Sequence, residues 1–291
     1  MLSILIPTYN YKVEALVNEL HAQATDCQID FEIIIGDDSS NQTIYNNTDL
    51  SKTGQIKLHR SDSSIGRTEM RKLLCKKAKY NWMLFIDSDM LPTEKEYIGK
   101  YINALEKNPE IKAFFGGYSY SHQYLKKDRL RFRYGIKREF KSALDREIKP
   151  YRNIYSGNML IRRETFELTN PSLENRYGLD LAFSWELESK NIPFKHLDNY
   201  TNHMGIEDNQ CFLLKSKEAS RTIRYLYDQN LISSKQSKLV WAYKLIEKLH
   251  LTKVLELKGR LFNPLMSWML INYKPPLIAL DFYKLYHFCK K

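Results

Sequence analysis

The chain has little that would staple it from outside or carry it across a bilayer. Its four cysteines, Cys27, Cys75, Cys211 and Cys289, are scattered through 291 residues. No C-x-x-C spacing links them, which excludes a zinc ribbon or a thioredoxin-like redox pair and leaves free thiols. No apolar run approaches the ~18 residues of a membrane-spanning helix. The opening MLSILIPTYN lacks the basic flank and small-residue cleavage site of a secretory leader, so the expected compartment is the cytoplasm. The N-glycosylation patterns at Asn41-Gln42-Thr43, Asn46-Asn47-Thr48 and Asn199-Tyr200-Thr201 then read as chance. Glycine is sparse, at 11 residues. None falls in a G-x-x-x-x-G-K-[ST] loop, which removes Walker-type NTPases.

Charge is present in excess, and unevenly. The formal net charge is +11. Residues 211–291 hold 15 Lys/Arg against 5 Asp/Glu, a net of +10, which leaves +1 for residues 1–210. The sequence therefore divides into a nearly neutral first part, 1–210, suited to an ordinary enzyme domain, and a basic, aromatic-rich segment, 211–291, suited to an anionic surface. That segment reads as amphipathic helices, with Trp241, Leu245 and Leu249 on one stripe and Lys244 and Lys248 on another. Its aromatics are expected either to face a membrane or to pack onto the first domain. A pI near 9.2 raises nucleic-acid binding as a competitor. No RNP, zinc-finger or helix-turn-helix signature accompanies the charge, and nucleic acid is not an expected partner.

The first part alternates. Leu2–Ile6 and Phe31–Ile35 are β-prone runs stopped by Pro7 and by Gly36-Asp37-Asp38, and helical spacing over 13–24 lies between them. Residues 56–59, a helix over 67–78 and the run Trp82–Ile86 extend the β-α-β pattern. Further on, 94–108 reads as helix, 113–118 as strand, 125–152 as a basic loop and helix flanking a cleft, 155–161 as strand and 181–190 as helix. The predicted fold class is α/β, a mainly parallel nucleotide-binding sheet flanked by helices with a C-terminal helical segment. Ligands of such sheets bind beyond the carboxyl ends of the strands. The polar residues there are Thr8, Tyr9 and Asn10, then Asp37 and Asp38, then Asp87 and Asp89. Two carboxylates one residue apart on a strand-exit loop can reach a hard cation, which in turn binds a diphosphate. Such triplets also cap helices and fill turns.

The ensemble is more specific than any single motif. Ser3-Ile4-Leu5-Ile6-Pro7-Thr8-Tyr9-Asn10, Glu32 to Ser40, Ile65-Gly66-Arg67 with Arg71, and Leu84-Phe85-Ile86-Asp87-Ser88-Asp89 come in an order that resembles the family 2 glycosyltransferases. These are inverting enzymes of the A-type glycosyltransferase fold. The resemblance is close over the first 120 residues and looser to about 210. It implies that Pro7 and Tyr9 pack against a nucleotide base and that Asp38 accepts a hydrogen bond from uracil. It further implies that Arg71 lies by the base or its phosphates, that Asp87 faces ribose or metal, and that Asp89 ligates the metal, Mn²⁺ or Mg²⁺. Tyr155 to Arg163 resembles the segment under the acceptor sugar, with Gly157 allowing close approach; a strand with a bulge there is the other reading.

Asn175 to Asp180, followed by Trp185-Glu186-Leu187, resembles the stretch that normally reads Glu-Asp. Leu179 stands in place of the Glu, and Asp180 keeps the carboxylate of a catalytic base. Asp208 is the alternative base. His203, in Asn202-His203-Met204-Gly205-Ile206-Glu207, resembles a histidine that completes the metal shell. The implied co-substrate is a nucleotide-sugar, and the implied acceptor a glycan or a lipid-linked glycan. The implied setting is the cytoplasm, peripheral on an anionic membrane. A nucleotidyltransferase would open on a Gly-rich phosphate loop, which Pro7-Thr8-Tyr9-Asn10 lacks. A glycosyltransferase-like scaffold without activity is the alternative that Leu179 raises.

Overall fold

The structure is a computed structural model that describes residues 1–41, 54–120, 129–170, 176–274 and 276–290. The sequons at 41–43 and 46–48, the start of the basic stretch at 125–152, Asn175 and Pro275 lie wholly or partly outside the described residues.

In chain order the elements begin with β1 (Leu2–Thr8), α1 (Glu14–Asp26), β2 (Phe31–Asp37), β3 (Ile56–Arg60), α2 (Arg67–Lys77) and β4 (Trp82–Ile86). Then come β5 (Met90–Pro92), α3 (Tyr97–Lys107), β6 (Ala113–Ser119), and α4 (Leu130–Tyr134), which runs into a π-helical turn (Gly135–Glu139). After α5 (Ala143–Glu147) follow β7 (Asn158–Arg162), α6 (Arg163–Thr169), α7 (Asp180–Ser189) and β8 (Phe194–His203). The chain ends in four helices: α8 (Asn209–Asp228), α9 (Lys238–Lys248), α10 (Thr252–Asn272) and α11 (Leu277–Cys289).

Among the described residues, eight strands form one sheet in the order β3-β2-β1-β4-β7-β6-β8-β5. The half from β3 to β4 is parallel, as the β-α-β alternation predicts. Both β1 and β2 are buried along their whole length, which is why they read as continuous apolar runs rather than alternating ones. One core fills the α1 and α3 face of the sheet, and a second fills the α2, α6 and α7 face. The other half is mixed: β7 runs antiparallel to both β4 and β6, β8 parallel to β6, and β5 antiparallel to β8. Neither β5 nor β8 follows from the sequence reading.

The C-terminal helices join the rest through two apolar clusters. One gathers Leu179 and Ala182 with Leu226, Ile232, Val240 and Phe288. The other gathers Leu130 with Phe212, Leu270 and Leu280. The α9 stripe points away from both: Trp241 and Leu249 are more than half exposed. Tyr243 is the aromatic that α9 buries, against Tyr227 and Phe288.

Candidate active site

The strand ends deliver their polar residues to one edge of the sheet. At the end of β1, Pro7 and Thr8 are buried, while Tyr9, just beyond it, is exposed. Asn10 turns with φ +52°, a left-handed conformation that Asn tolerates, and its N–H donates to Ser40 Oγ at 2.7 Å. After β2, buried Asp38 receives three hydrogen bonds from one loop, from Ser64 Oγ (2.9 Å), Ile65 N (2.6 Å) and Gly66 N (2.9 Å). That loop leads into α2, so Asp38 sets where α2 begins. A carboxylate offers about four acceptor sites, which leaves one, on Oδ1, for a further donor.

The first turns of α2 carry two arginines to Asp87. Arg67 Nη2 lies 2.5 Å from Asp87 Oδ2 and Arg71 Nη2 lies 2.9 Å from Oδ1. Burial opposes ionisation of Asp87, but the two guanidinium groups outweigh it and hold the carboxyl below its ordinary range. Arg71 is itself buried and also donates to Ser156 Oγ and to the Ser156 carbonyl, at 2.8 and 2.9 Å. Ser156 passes the chain on by donating to Asp180 Oδ1. Asp180 opens α7 with its side chain 43% exposed and 3.8 Å from Arg71 Nη1. A cavity of about 30 Å³, lined by Arg71, Ser156 and Asp180 among others, lies beside it.

Gly157 precedes β7, which pairs with β4 without a bulge. It sits at the entry to β7, where an added Cβ would fall 2.2 Å from Asp87 Oδ2 and 2.6 Å from the Tyr118 hydroxyl. The glycine leaves room for the Asp87 carboxylate. Gly205 does the same for the other acid: a Cβ there would fall 2.1 Å from Asp89 Oδ2.

Asp89 and His203 are joined by the short β5–β8 ladder, in which Met90 pairs with His203. Met204 N donates to Asp89 O at 2.8 Å. His203 Nε2 stands 3.5 Å from Asp89 Oδ2, and its Nδ1 is buried with no hydrogen-bond partner. Burial first lowers the His203 pKa, and Asp89 opposes this, so the ring is neutral near pH 7 and has a lone pair to give. A carboxylate and a neutral imidazole a few ångström apart, with a glycine in front, fit a divalent cation. Among the described residues no group of three or more His, Cys, Asp or Glu side chains could hold a metal ion.

Beside His203 lies a cluster that no motif signals. Glu139, on the π-helical turn, accepts from Arg131 Nη1 at 2.9 Å and from the Tyr120 hydroxyl. Burial opposes its charge, yet Arg131 and Tyr120 keep its pKa lowered. The Tyr120 ring centroid is 5.7 Å from that of His203. Asp208, the alternative base, caps α8 by accepting from Cys211 N at 2.7 Å. Leu179 is buried under the C-terminal helices.

A half-parallel, half-mixed sheet with helices on both faces, and an acid pair at the exit of its fourth strand, defines an A-type glycosyltransferase fold. The chain belongs to glycosyl transferase family 2, whose profile matches residues 3–168, as the motif resemblance implied. It is 32% identical over 119 residues to an uncharacterized glycosyltransferase of Haemophilus influenzae, a match over 40% of this chain and 38% of that protein. Among solved structures, a mannosyltransferase from Pyrobaculum calidifontis, in complex with GDP-Man and Mn²⁺, superposes with TM-score 0.51 at 12% identity. That match covers 75% of this chain and 61% of the other. A mycobacterial protein superposes with TM-score 0.55 at 12% identity, over 78% and 73%. S. aureus TarS does so with TM-score 0.50 at 16% identity, over 77% and 39%. At these identities the likeness is one of fold.

Proposed function

We propose that the chain transfers a sugar from a nucleotide-sugar, a UDP-sugar in the first instance, to a hydroxyl of a glycan or lipid-linked glycan, with inversion at the anomeric carbon. The observation that carries the reading is the chain of contacts Asp87–Arg71–Ser156–Asp180. It ties the acid after β4 to the partly exposed carboxylate that opens α7. Residues 1–210 would form the catalytic domain, and 211–291 the basic helical segment beside it.

In this mechanism Asp180 takes the proton of the acceptor hydroxyl as that oxygen attacks. The new bond forms between the acceptor oxygen and the anomeric carbon. The bond from that carbon to the phosphate oxygen breaks, and the diphosphate leaves with the electron pair. Ser156 and Arg71 hold Asp180 in place. Pro7, Tyr9 and Asp38 would receive the base, with Asp38 using its remaining acceptor site, and Arg67, Arg71 and Asp87 would border the ribose and phosphates. Asp89 and His203 would hold Mn²⁺ or Mg²⁺, whose chemistry is to neutralise charge on the diphosphate; the mannosyltransferase complex with GDP-Man and Mn²⁺ supports that part. Leu179 has a packing reason of its own, which weakens the case for a scaffold without activity.

The setting we propose is the cytoplasm, at a membrane surface. Among the described residues no helix is long and apolar enough to cross a bilayer. The test of the activity is a melting-point screen of nucleotide-sugars with and without Mn²⁺, since a bound donor raises the melting point with its concentration. At least one donor should do so only with the cation and should then be slowly hydrolysed. No response to any donor would remove the reading.

A further inference from the structure

Helix α10 is inside out. Leu257, Leu261, Leu265 and Trp268 follow one another at helical spacing, and each is more than half exposed. Val254 and Phe262 flank them, also exposed. The opposite side of the helix is the packed one. Gly259 lies against the Tyr286 ring, and Leu270 is fully buried in a cluster with Leu277 and Leu280. The protein's own core is thus on one side of α10, and a second apolar ridge more than three turns long faces away from it. Surface ridges of this size mark a contact with another body.

Charge decides which body. Lys253, Lys258 and Arg260 on α10, and Lys244 and Lys248 on α9, are all exposed. Glu256 and Glu247 are the exposed acids on the same two helices. A second copy docked ridge to ridge would bring these cations together and leave them without counter-charges. An anionic lipid surface supplies the counter-charges and the apolar layer together. The aromatic pair at the end of α10, Trp268 and Tyr273 with ring centroids 4.9 Å apart, is of the kind that settles at the headgroup boundary. With four charged residues in its first half, α10 is no membrane-spanning helix. We infer that α10 lies in the plane of an anionic membrane, its Leu257–Trp268 ridge sunk to the headgroup boundary and its lysines on lipid phosphates.

The inference deepens the proposed setting and does not depend on the proposed chemistry. The full chain is floated with phosphatidylcholine vesicles, with and without phosphatidylglycerol, at low and high salt, and tryptophan emission is recorded. The wild type should float with the anionic vesicles, with weaker binding at high salt and a blue shift on binding. Leu261→Glu/Leu265→Glu, at positions that carry no core, should lose flotation at both salts while keeping its melting point and its hydrolysis of donor in solution. Should that variant melt early, Lys253→Glu/Lys258→Glu takes its place and must lose the preference for anionic vesicles. Absence of wild-type flotation at low salt, or variants that bind as the wild type does, would overturn the inference. So would a wild-type dimer that Leu261→Glu/Leu265→Glu splits, which assigns the ridge to a second copy. Flotation without donor hydrolysis would leave the membrane contact standing and remove the enzymatic reading.

Discussion

Arg71 donates to Asp87 Oδ1 at 2.9 Å and lies 3.8 Å from Asp180 Oδ1, so one buried guanidinium stands between the acid that follows β4 and the acid that opens α7. Removing it strands Asp87 beside Arg67 alone and leaves the Ser156 carbonyl without its donor. Breaking a buried pair from one side costs on the order of 3–5 kcal/mol. Arg71→Met should therefore lower the melting point by several degrees and abolish turnover. Arg71→Lys, one charge without a fork, should recover part of the stability and little of the activity. Thermal melts and donor-hydrolysis rates on the two variants check this, and full activity in Arg71→Lys would show that a point charge suffices.

Gly157 and Gly205 make paired predictions because each faces a different acid. Gly157→Ala would push a methyl into Asp87, and Gly205→Ala into Asp89. Overpacking of this kind costs about 1–3 kcal/mol where neighbours must shift. Calorimetry should find weaker UDP binding in both variants. Only Gly205→Ala should need markedly more Mn²⁺ to reach half-saturation. Equal Mn²⁺ requirements would mean that the two acids act as one site.

The legible part of this fold is the part where chemistry and burial agree. Ile4 to Ile6, Ile33 to Ile35 and Leu84 to Ile86 are apolar because both sheet faces are covered, and their polar successors fall at the sheet edge by necessity. Strand β8 hides for the opposite reason. Its FKHLDNYTNH composition is polar, yet Asn199, Thr201 and Asn202 are buried, with Asn199 donating to Tyr97 O and receiving from Asn158. Local pattern cannot reveal partners about a hundred or about forty residues away. The ladder that brings His203 to Asp89 was lost with it, as was Glu139, which reaches the site on a π-helical turn. Leu179 was legible as a departure from the family pattern. Its reason, a contact with helices that follow some forty residues or more later, was not.

The metal prediction rests on His203 as much as on Asp89. If both hold a cation, Asp89→Ala should abolish Mn²⁺-dependent UDP binding, and His203→Ala should weaken it while raising the Mn²⁺ needed. The unpartnered Nδ1 of His203 makes the ring a poor candidate for a purely structural hydrogen bond. Calorimetric titrations of UDP with and without Mn²⁺ decide the matter. UDP affinity that is unchanged in Asp89→Ala would remove the cation from this loop.

A pH dependence of stability follows from His196. The ring is buried, with Nδ1 3.2 Å from Arg146 Nη1 and Nε2 3.2 Å from Pro150 O. Those partners suit a neutral ring that accepts at Nδ1 and donates at Nε2. Burial, then Arg146, lowers its pKa to about 4, against ~6.5 in the unfolded chain. Between those values the unfolded state binds the extra proton. The stability is therefore present above about pH 6.5 and is lost as pH falls toward 4, by at most about 1.4 kcal/mol per unit. His287, also lowered to about 4 by burial, adds in the same direction. Melting points from pH 7 to pH 5 should fall, and should fall less steeply in His196→Gln. An unchanged slope would assign the effect to other groups.

The base is where two carboxylates can be told apart by what already occupies them. Asp208 spends one oxygen on Cys211 N as the cap of α8, whereas Asp180 keeps a partly exposed carboxylate with Ser156 and Arg71 behind it. A base must reach the acceptor hydroxyl directly or through one water. Both are accessible, but Asp208 is committed to capping α8 while Asp180 has no such task. Asp180→Asn should lower kcat by several orders of magnitude with UDP affinity nearly unchanged, because the carboxylate acts chiefly in the transition state. Asp208→Asn should keep most of the activity, since Asn caps a helix nearly as well, and Asp208→Ala should lose about 1 kcal/mol of stability. Single-turnover rates with a true acceptor, alongside UDP titrations, separate the two. Near-normal turnover in Asp180→Asn would overturn the assignment and make Asp208 the residue to test as the base.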